Sequence, residues 1–213
     1  MTPALFVLLV RAAGDTVLLS GAAILLGLPL GLAVSAAALS GRRAFTLPAR
    51  AFVSFVRGVP LLVQLLLIYN LLPSVGIDLP GAVAAVIGLS LCTAAYQAEN
   101  LRGGLLAVPR GLVEAAEMAG FSPAQRFWRI RVPIALKLTL PSLVGEAIMI
   151  LKASSLVSVV GVVELTRMAQ DLASSTFRPL PLYAAAGGLY VAIDWGIAGV
   201  GAALERRWRW GRA

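Results

Sequence analysis

The chain has 213 residues, 59% of them hydrophobic and 13% charged, with a mean hydropathy of +0.89. That apolar content is far above a soluble domain's and predicts an all-α membrane protein with several spans. The formal charge of +8 would suggest nucleic acid in a soluble chain, but here the arginines sit between long apolar runs, where they set topology, so nucleic-acid binding is excluded. With no histidine the usual general base and nitrogen metal ligand are missing, and the single Cys92 excludes an intrachain disulfide.

From the start of the chain, Leu5, Leu8, Leu9 and Ala12 recur at helical spacing over a stretch too short to cross a bilayer, which predicts an interfacial helix from Pro3 to Ala13. The first span is expected from Thr16 to about Leu39, with Gly27-Leu28-Pro29-Leu30-Gly31 marking a kink and a close helix approach. A basic loop from Gly41 to Arg50 precedes a second span, Phe52 to Leu72, with Arg57 near its start. Leu72 to Pro80 carries no basic residue and reads as a loop, and Pro80 to about Gln97 makes the third span. A polar stretch follows. Leu138 to about Val163 is the fourth span, Leu165 to Pro181 a mixed loop, and Leu182 to Leu204 the fifth, ending in a basic aromatic tail, Glu205 to Arg212. No internal repeat or linker interrupts this order, so one domain over residues 1–213 is expected.

The polar stretch reads as two short helices with a hinge. One starts at Pro109 and stops at Gly120, the residue best suited to the left-handed position past a helix end. The next starts at Ser122-Pro123-Ala124-Gln125, with a capping Ser, Pro at the first helical position and Gln where a capping box needs it, and Val132-Pro133 is expected to end it. One side of the membrane receives Arg42, Arg43, Arg50, Arg102, Arg110, Arg126, Arg129, Arg131, Lys137 and the tail arginines; the other receives only Arg11, Arg167 and Arg178. The N-terminus is therefore expected outside, the C-terminus inside, and the hairpin in the cytoplasm.

Glu114-Ala115-Ala116, three residues, Gly120, nine residues, Ile130, then Val132 and Pro133 resembles the EAA motif in the cytoplasmic loop of ABC importer permeases, with Val132 where the family usually has Leu. Arg57 to Gln64, Ala95 to Glu99 with Arg102-Gly103-Gly104, Val108 to Gly111, Lys152 to Gln170 and Thr176 to Pro179 resemble its polar amino acid branch. The resemblance spans nearly the whole chain. It implies the type I ABC importer permease fold and a coupling helix in the hairpin, with Glu114, Ala115, Ala116, Gly120, Ile130 and Pro133 as ATPase-coupling residues. It also implies partners: ATPase subunits holding ATP and Mg, an extracytoplasmic solute-binding protein, a second permease copy or homologue, and the lipid bilayer of a bacterial inner membrane. An amphipathic loop lying on the inner membrane surface is the plain alternative for the hairpin. No G-x-x-x-x-G-K-[ST] loop occurs here, so the chain itself is not expected to hydrolyse ATP and needs no cofactor.

Charges inside the spans form a second set. An ionised side chain at the bilayer centre costs roughly 2.5–3.5 kcal/mol on insertion scales and generally faces a bundle interior or a cavity. Glu146, Lys152, Ser154, Ser155 and Asp194 are the substrate-path candidates; an ion pair of Lys152 with Asp194, and serines bonded to their own helix, are the structural alternatives. Glu146 and Lys152 are six residues, about 600° of helix, apart and so face different partners. An acid at 146 suits a basic substrate, and Ala153 stands where many relatives carry an acid. Arg57, Gln64, Glu99 and Arg102 are gate or structural candidates, with Glu99 and Arg102 spaced as a local helix pair. Two other classes compete: a membrane hydrolase using Lys152 as base for Ser154 or Ser155, and a channel or scaffold.

Overall fold

The structure, a computed structural model, describes residues 2–74 and 76–208. All regular elements among the described residues are helical. Helix α1 runs unbroken from Pro3–Ala38, so the separate interfacial helix expected at Pro3 to Ala13 does not exist. Gly14 weakens a helix by only about 1 kcal/mol and does not stop one, and the buried Leu9, Ala12, Ala13 and Thr16 continue one packed face across it.

The expected second span is also rearranged. Its basic approach is already helical: α2 spans Arg43–Gly58 and α3 spans Leu61–Ser74, the two meeting at 105°. The break falls at Val59-Pro60, where proline removes a backbone donor and pushes the preceding residue to extended angles; Val59 has φ −98° and ψ 130°. Helix α4, Gly81–Leu106, runs further than expected. The hairpin is α5, Arg110–Met118, and α6, Pro123–Arg126.

Pro133 does not end the hairpin's second arm. Phe127–Arg131 form a π-helical turn that runs straight into α7, Val132–Ala153; Val132 N–H still donates five residues back to the Phe127 carbonyl, and the missing N–H of Pro133 falls where the hydrogen bonding changes from π to α. Ser154–Val160 then tighten to a 3₁₀ helix, closed by Gly161 at φ 79°. The expected loop at Leu165 to Pro181 is largely a helix, α8, Leu165–Thr176, because Glu164 caps it by accepting hydrogen bonds from the N–H groups of Thr166 and Arg167. Helix α9 spans Pro179–Trp208; the tail's Arg209 to Arg212 lie outside the described residues.

Helices α1 and α4 form the most extensive pair, and small residues let them close. A Cβ on Gly27 would stand 2.6 Å from the Cβ of Thr93, and one on Gly31 2.9 Å from the Ala94 carbonyl oxygen. The glycines make the close contact in an unbroken helix. Around this pair, Ala23, Leu65, Leu89, Ile150 and Val157 join α1, α3, α4, α7 and the 3₁₀ turn in one core. Leu9, Leu165, Ala169, Leu182 and Ala186 tie α8 and α9 to the first turns of α1. Among the described residues, four helices or continuous rods are long and apolar enough to cross a membrane (α1, α4, Pro123–Val160 and α9), and the bent pair α2 and α3 makes a fifth.

Candidate functional site

The hairpin is held rigid at both ends of its turn. Gly120, at φ 80°, donates to the Glu117 carbonyl at 2.9 Å and Phe121 donates to the Ala116 carbonyl at 3.0 Å, closing α5 with a Schellman motif. Two residues later the predicted capping box is present: Gln125 N–H donates to Ser122 Oγ at 3.3 Å, and Ser122 N–H donates to Gln125 Oε1 at 2.8 Å. An ion pair between Arg126 and Glu117 spans the turn. Glu114 and Ala115 are exposed and Ala116 is buried, so the first two of these three residues face outward from the fold. Leu112, 49% exposed, and Met118, 89% exposed, lie three residues on either side of Ala115, each about 60° around the helix from it, and widen the exposed apolar surface of α5. The spacing of 112, 115 and 118 could have revealed that apolar arc in the sequence. Ile130 and Pro133 lie on the return arm, where Phe127 reaches the buried Leu105, Val108, Val132 and Ala135. Arg131 anchors that arm by donating to the Leu105 carbonyl at 3.4 Å.

Gln64 and Arg57 belong to the break between α2 and α3. The Val56 carbonyl would accept from the residue four places on, but that residue is Pro60. The buried Gln64 supplies the missing donor: its Nε2 donates to the carbonyls of Val56 and Val59, both at 2.7 Å. Because both partners are acceptors, the amide can point only its nitrogen there. On the turn before the break, the Arg57 guanidinium lies over the Tyr96 ring, 5.1 Å from its centre. Glu99 and Arg102 form the expected pair, with Arg102 NH2 2.7 Å from Glu99 Oε2, and both Arg50 and Arg57 lie within electrostatic reach of that carboxylate.

The path candidates divide into two places. Lys152 Nζ sits 3.0 Å from Asp194 Oδ2, a pair joining the far end of α7 to α9, while the buried Asp194 Oδ1 has no partner among the described residues. Ser154 donates to the Leu151 carbonyl at 2.6 Å, and Ser155 to the Lys152 carbonyl at 2.8 Å. Lysine on aspartate and serines on backbone is not a Ser–Lys nucleophile. Glu146 is 7% exposed, its carboxylate pairs with no cation among the described residues, and Arg57 is the cation within its electrostatic reach. Pro133 and Lys152 are nineteen residues apart on one helix, about 28 Å, so the hairpin and the Lys152–Asp194 pair occupy opposite ends of α7.

Sequence reasoning missed a third polar group. Thr16 Oγ1 accepts from Leu165 N–H at 3.0 Å, Tyr190 donates to Glu164 Oε2 at 2.8 Å, and Thr166 and Tyr190 hydroxyls meet at 3.0 Å. This network fastens α8 to α1 and α9. A buried Glu opening a helix is a weak local signal beside Ser, Thr, Asp or Asn.

Residues 23–210 match the family model described as binding-protein-dependent transport system inner membrane component. The octopine transport system permease protein OccM of Rhizobium meliloti is 35% identical over 211 residues, covering 86% of this chain and 84% of the relative. The histidine/lysine/arginine/ornithine transport system permease protein HisQ of Salmonella typhimurium is 34% identical, with 91% and 90% covered. Among solved structures, an amino acid ABC transporter crystallised with histidines superposes with a TM-score of 0.84 at 35% identity over 94% of both chains. The MetNI methionine ABC transporter in an inward-facing form shares the fold, with a TM-score of 0.81 at 22% identity over 98% of this chain and 99% of the other.

Proposed function

We infer the activity from a family relationship: the chain belongs to the binding-protein-dependent transport system inner membrane components, and it is a permease subunit of an ABC importer whose ATP hydrolysis is carried by a separate ATPase. Its cargo is a polar amino acid, by analogy with the similar octopine and histidine/lysine/arginine/ornithine permeases. Glu146, a buried carboxylate without a cation partner, favours a basic one, since a guanidinium or ammonium group would supply that partner. The whole of residues 1–213 forms one permease unit in a bacterial inner membrane, with the N-terminus outside, the C-terminus inside and residues 109–133 in the cytoplasm, as the arginine asymmetry favours.

The observation that carries this reading is the outward face of α5. Glu114 and Ala115 stand exposed beside Leu112 and Met118 on a helix closed at Gly120, a small, pre-ordered surface suited to a partner's groove. Two ATPase subunits, holding ATP and Mg, bind this hairpin and that of a second permease copy or homologue. An extracytoplasmic solute-binding protein delivers the amino acid. Approach of the two ATPases moves the hairpins together and opens the midplane path outward; product release returns it inward.

Gly120→Asp tests the assignment. A side chain at φ 80° strains the turn. In proteoliposomes containing the reconstituted importer, the variant is expected to insert normally, fail to retain its ATPase and lose uptake. Full binding-protein-stimulated ATPase activity in that variant would overturn the role of the hairpin.

A further inference from the structure

We propose that the cleft between α1, α2 and α4 is a binding site for a phosphate-bearing anion, filled in the membrane by the headgroup of an anionic phospholipid. The cleft holds about 300 Å³ and is walled by Val34, Ser35, Arg50, Val53, Glu99 and Arg102, among others. Its charge does not balance. Glu99 is spent on Arg102, through contacts at 2.7 and 3.2 Å, and no carboxylate among the described residues pairs with Arg50. An anion is the missing partner.

A second observation comes from the wall itself. Ser35 is fully buried, lines the cleft, and its Oγ has no hydrogen-bond partner among the described residues. Burying a hydroxyl without a partner is unfavourable, and a phosphate oxygen seated between Arg50 and Ser35 would satisfy it. Fixed guanidinium groups suit phosphate geometry.

The depth of the cleft and the surface leading from it favour a lipid over a soluble anion. Ser35 lies three residues before the end of α1 and Arg102 four before the end of α4, about 4.5 and 6 Å along their axes, the depth of a headgroup. Four and eight residues back from Val34, Leu30 and Leu26 are 39% and 58% exposed. They continue one face of α1 toward the bilayer interior as a track for an acyl chain. Basic pockets between spans are a known way of holding anionic lipid headgroups.

Native mass spectrometry of the purified full chain, equilibrated with phosphatidylglycerol or phosphatidylcholine, tests the site. Wild-type protein is expected to retain phosphatidylglycerol selectively, and Arg50→Gln to lower that retention roughly fivefold, the effect of removing one basic contact. Ser35→Ala is expected to weaken retention to a smaller extent. Arg110→Gln removes an exposed arginine outside the cleft and should change nothing; thermal unfolding checks that all three variants are folded. An excess of glycerol phosphate separates the sources. Failure to displace the lipid supports a headgroup held with its chain, whereas displacement together with loss in Arg50→Gln supports a phosphate site open to soluble anions. Equal retention by Arg50→Gln and wild type, or an equal fall in Arg110→Gln, would overturn the proposal.

Discussion

Replacing Gln64 with Met keeps the length and bulk of the side chain and removes the only donor it offers to the break between α2 and α3. Two carbonyls, Val56 and Val59, each lose a 2.7 Å hydrogen bond, and Pro60 leaves Val56 no backbone donor to fall back on. At about 1–3 kcal/mol for a buried acceptor left unsatisfied, Val56 alone accounts for about 1–3 kcal/mol, and the half-buried Val59 adds less. A chain of this size shifts by about 2–4 °C per kcal/mol, so thermal unfolding in detergent should begin at least about 2 °C lower. Gln64→Glu sharpens the test. The carboxylate keeps the shape but aims a third acceptor at two others, so its loss at neutral pH should exceed that of Met and shrink on acidification, when a protonated carboxyl donates one hydrogen bond. A Met variant that unfolds with wild type, or a Glu variant indifferent to pH, would refute the account of the break.

Gly31→Val is expected to destabilise by about 1–3 kcal/mol, since its Cβ would meet the Ala94 backbone oxygen at 2.9 Å and a β-branched side chain in a helix has little freedom to turn aside. Gly21→Ala, with nothing within 4 Å of the new atom, serves as the control and should be neutral or stabilising by up to about 1 kcal/mol in the same unfolding assay. Glu146→Gln should depress uptake of a basic amino acid more than that of a neutral one in reconstituted vesicles; parallel loss for both would mean that the carboxylate serves the fold rather than the cargo.

Much of the hairpin was legible because it is built from local rules. A glycine past a helix end and a Ser-Pro-x-Gln start name their own hydrogen-bond partners within a few residues. The Lys152–Asp194 pair was readable as an option, because two opposite charges inside apolar runs seek each other. What escaped depends on longer range or on competing meanings of one residue. Proline at 60, which breaks a span, and proline at 133, which merely opens a turn of one, look alike until the neighbouring donors are placed. The helix at Leu165 was hidden because a glutamate, not a preferred capping residue, starts it, and its partners Thr16 and Tyr190 are distant in the chain. Exposure of Leu112 and Met118 depends on how α5 sits against the bundle, which periodicity alone does not give.

The unbroken helical path from Pro123 to Val160 makes the hairpin the short end of a lever. Thirty-eight residues span about 57 Å, and only the capped turn at Gly120 to Ser122 separates the α5 surface that a partner would grip from the rod that carries Glu146 and Lys152. A tilt of about 5° at the turn would sweep the far tip by about 5 Å, close to one helical turn. Such a rod converts a small displacement at the membrane face into a large one across the bilayer, and the glycines between α1 and α4 supply the stiff block against which it would pivot.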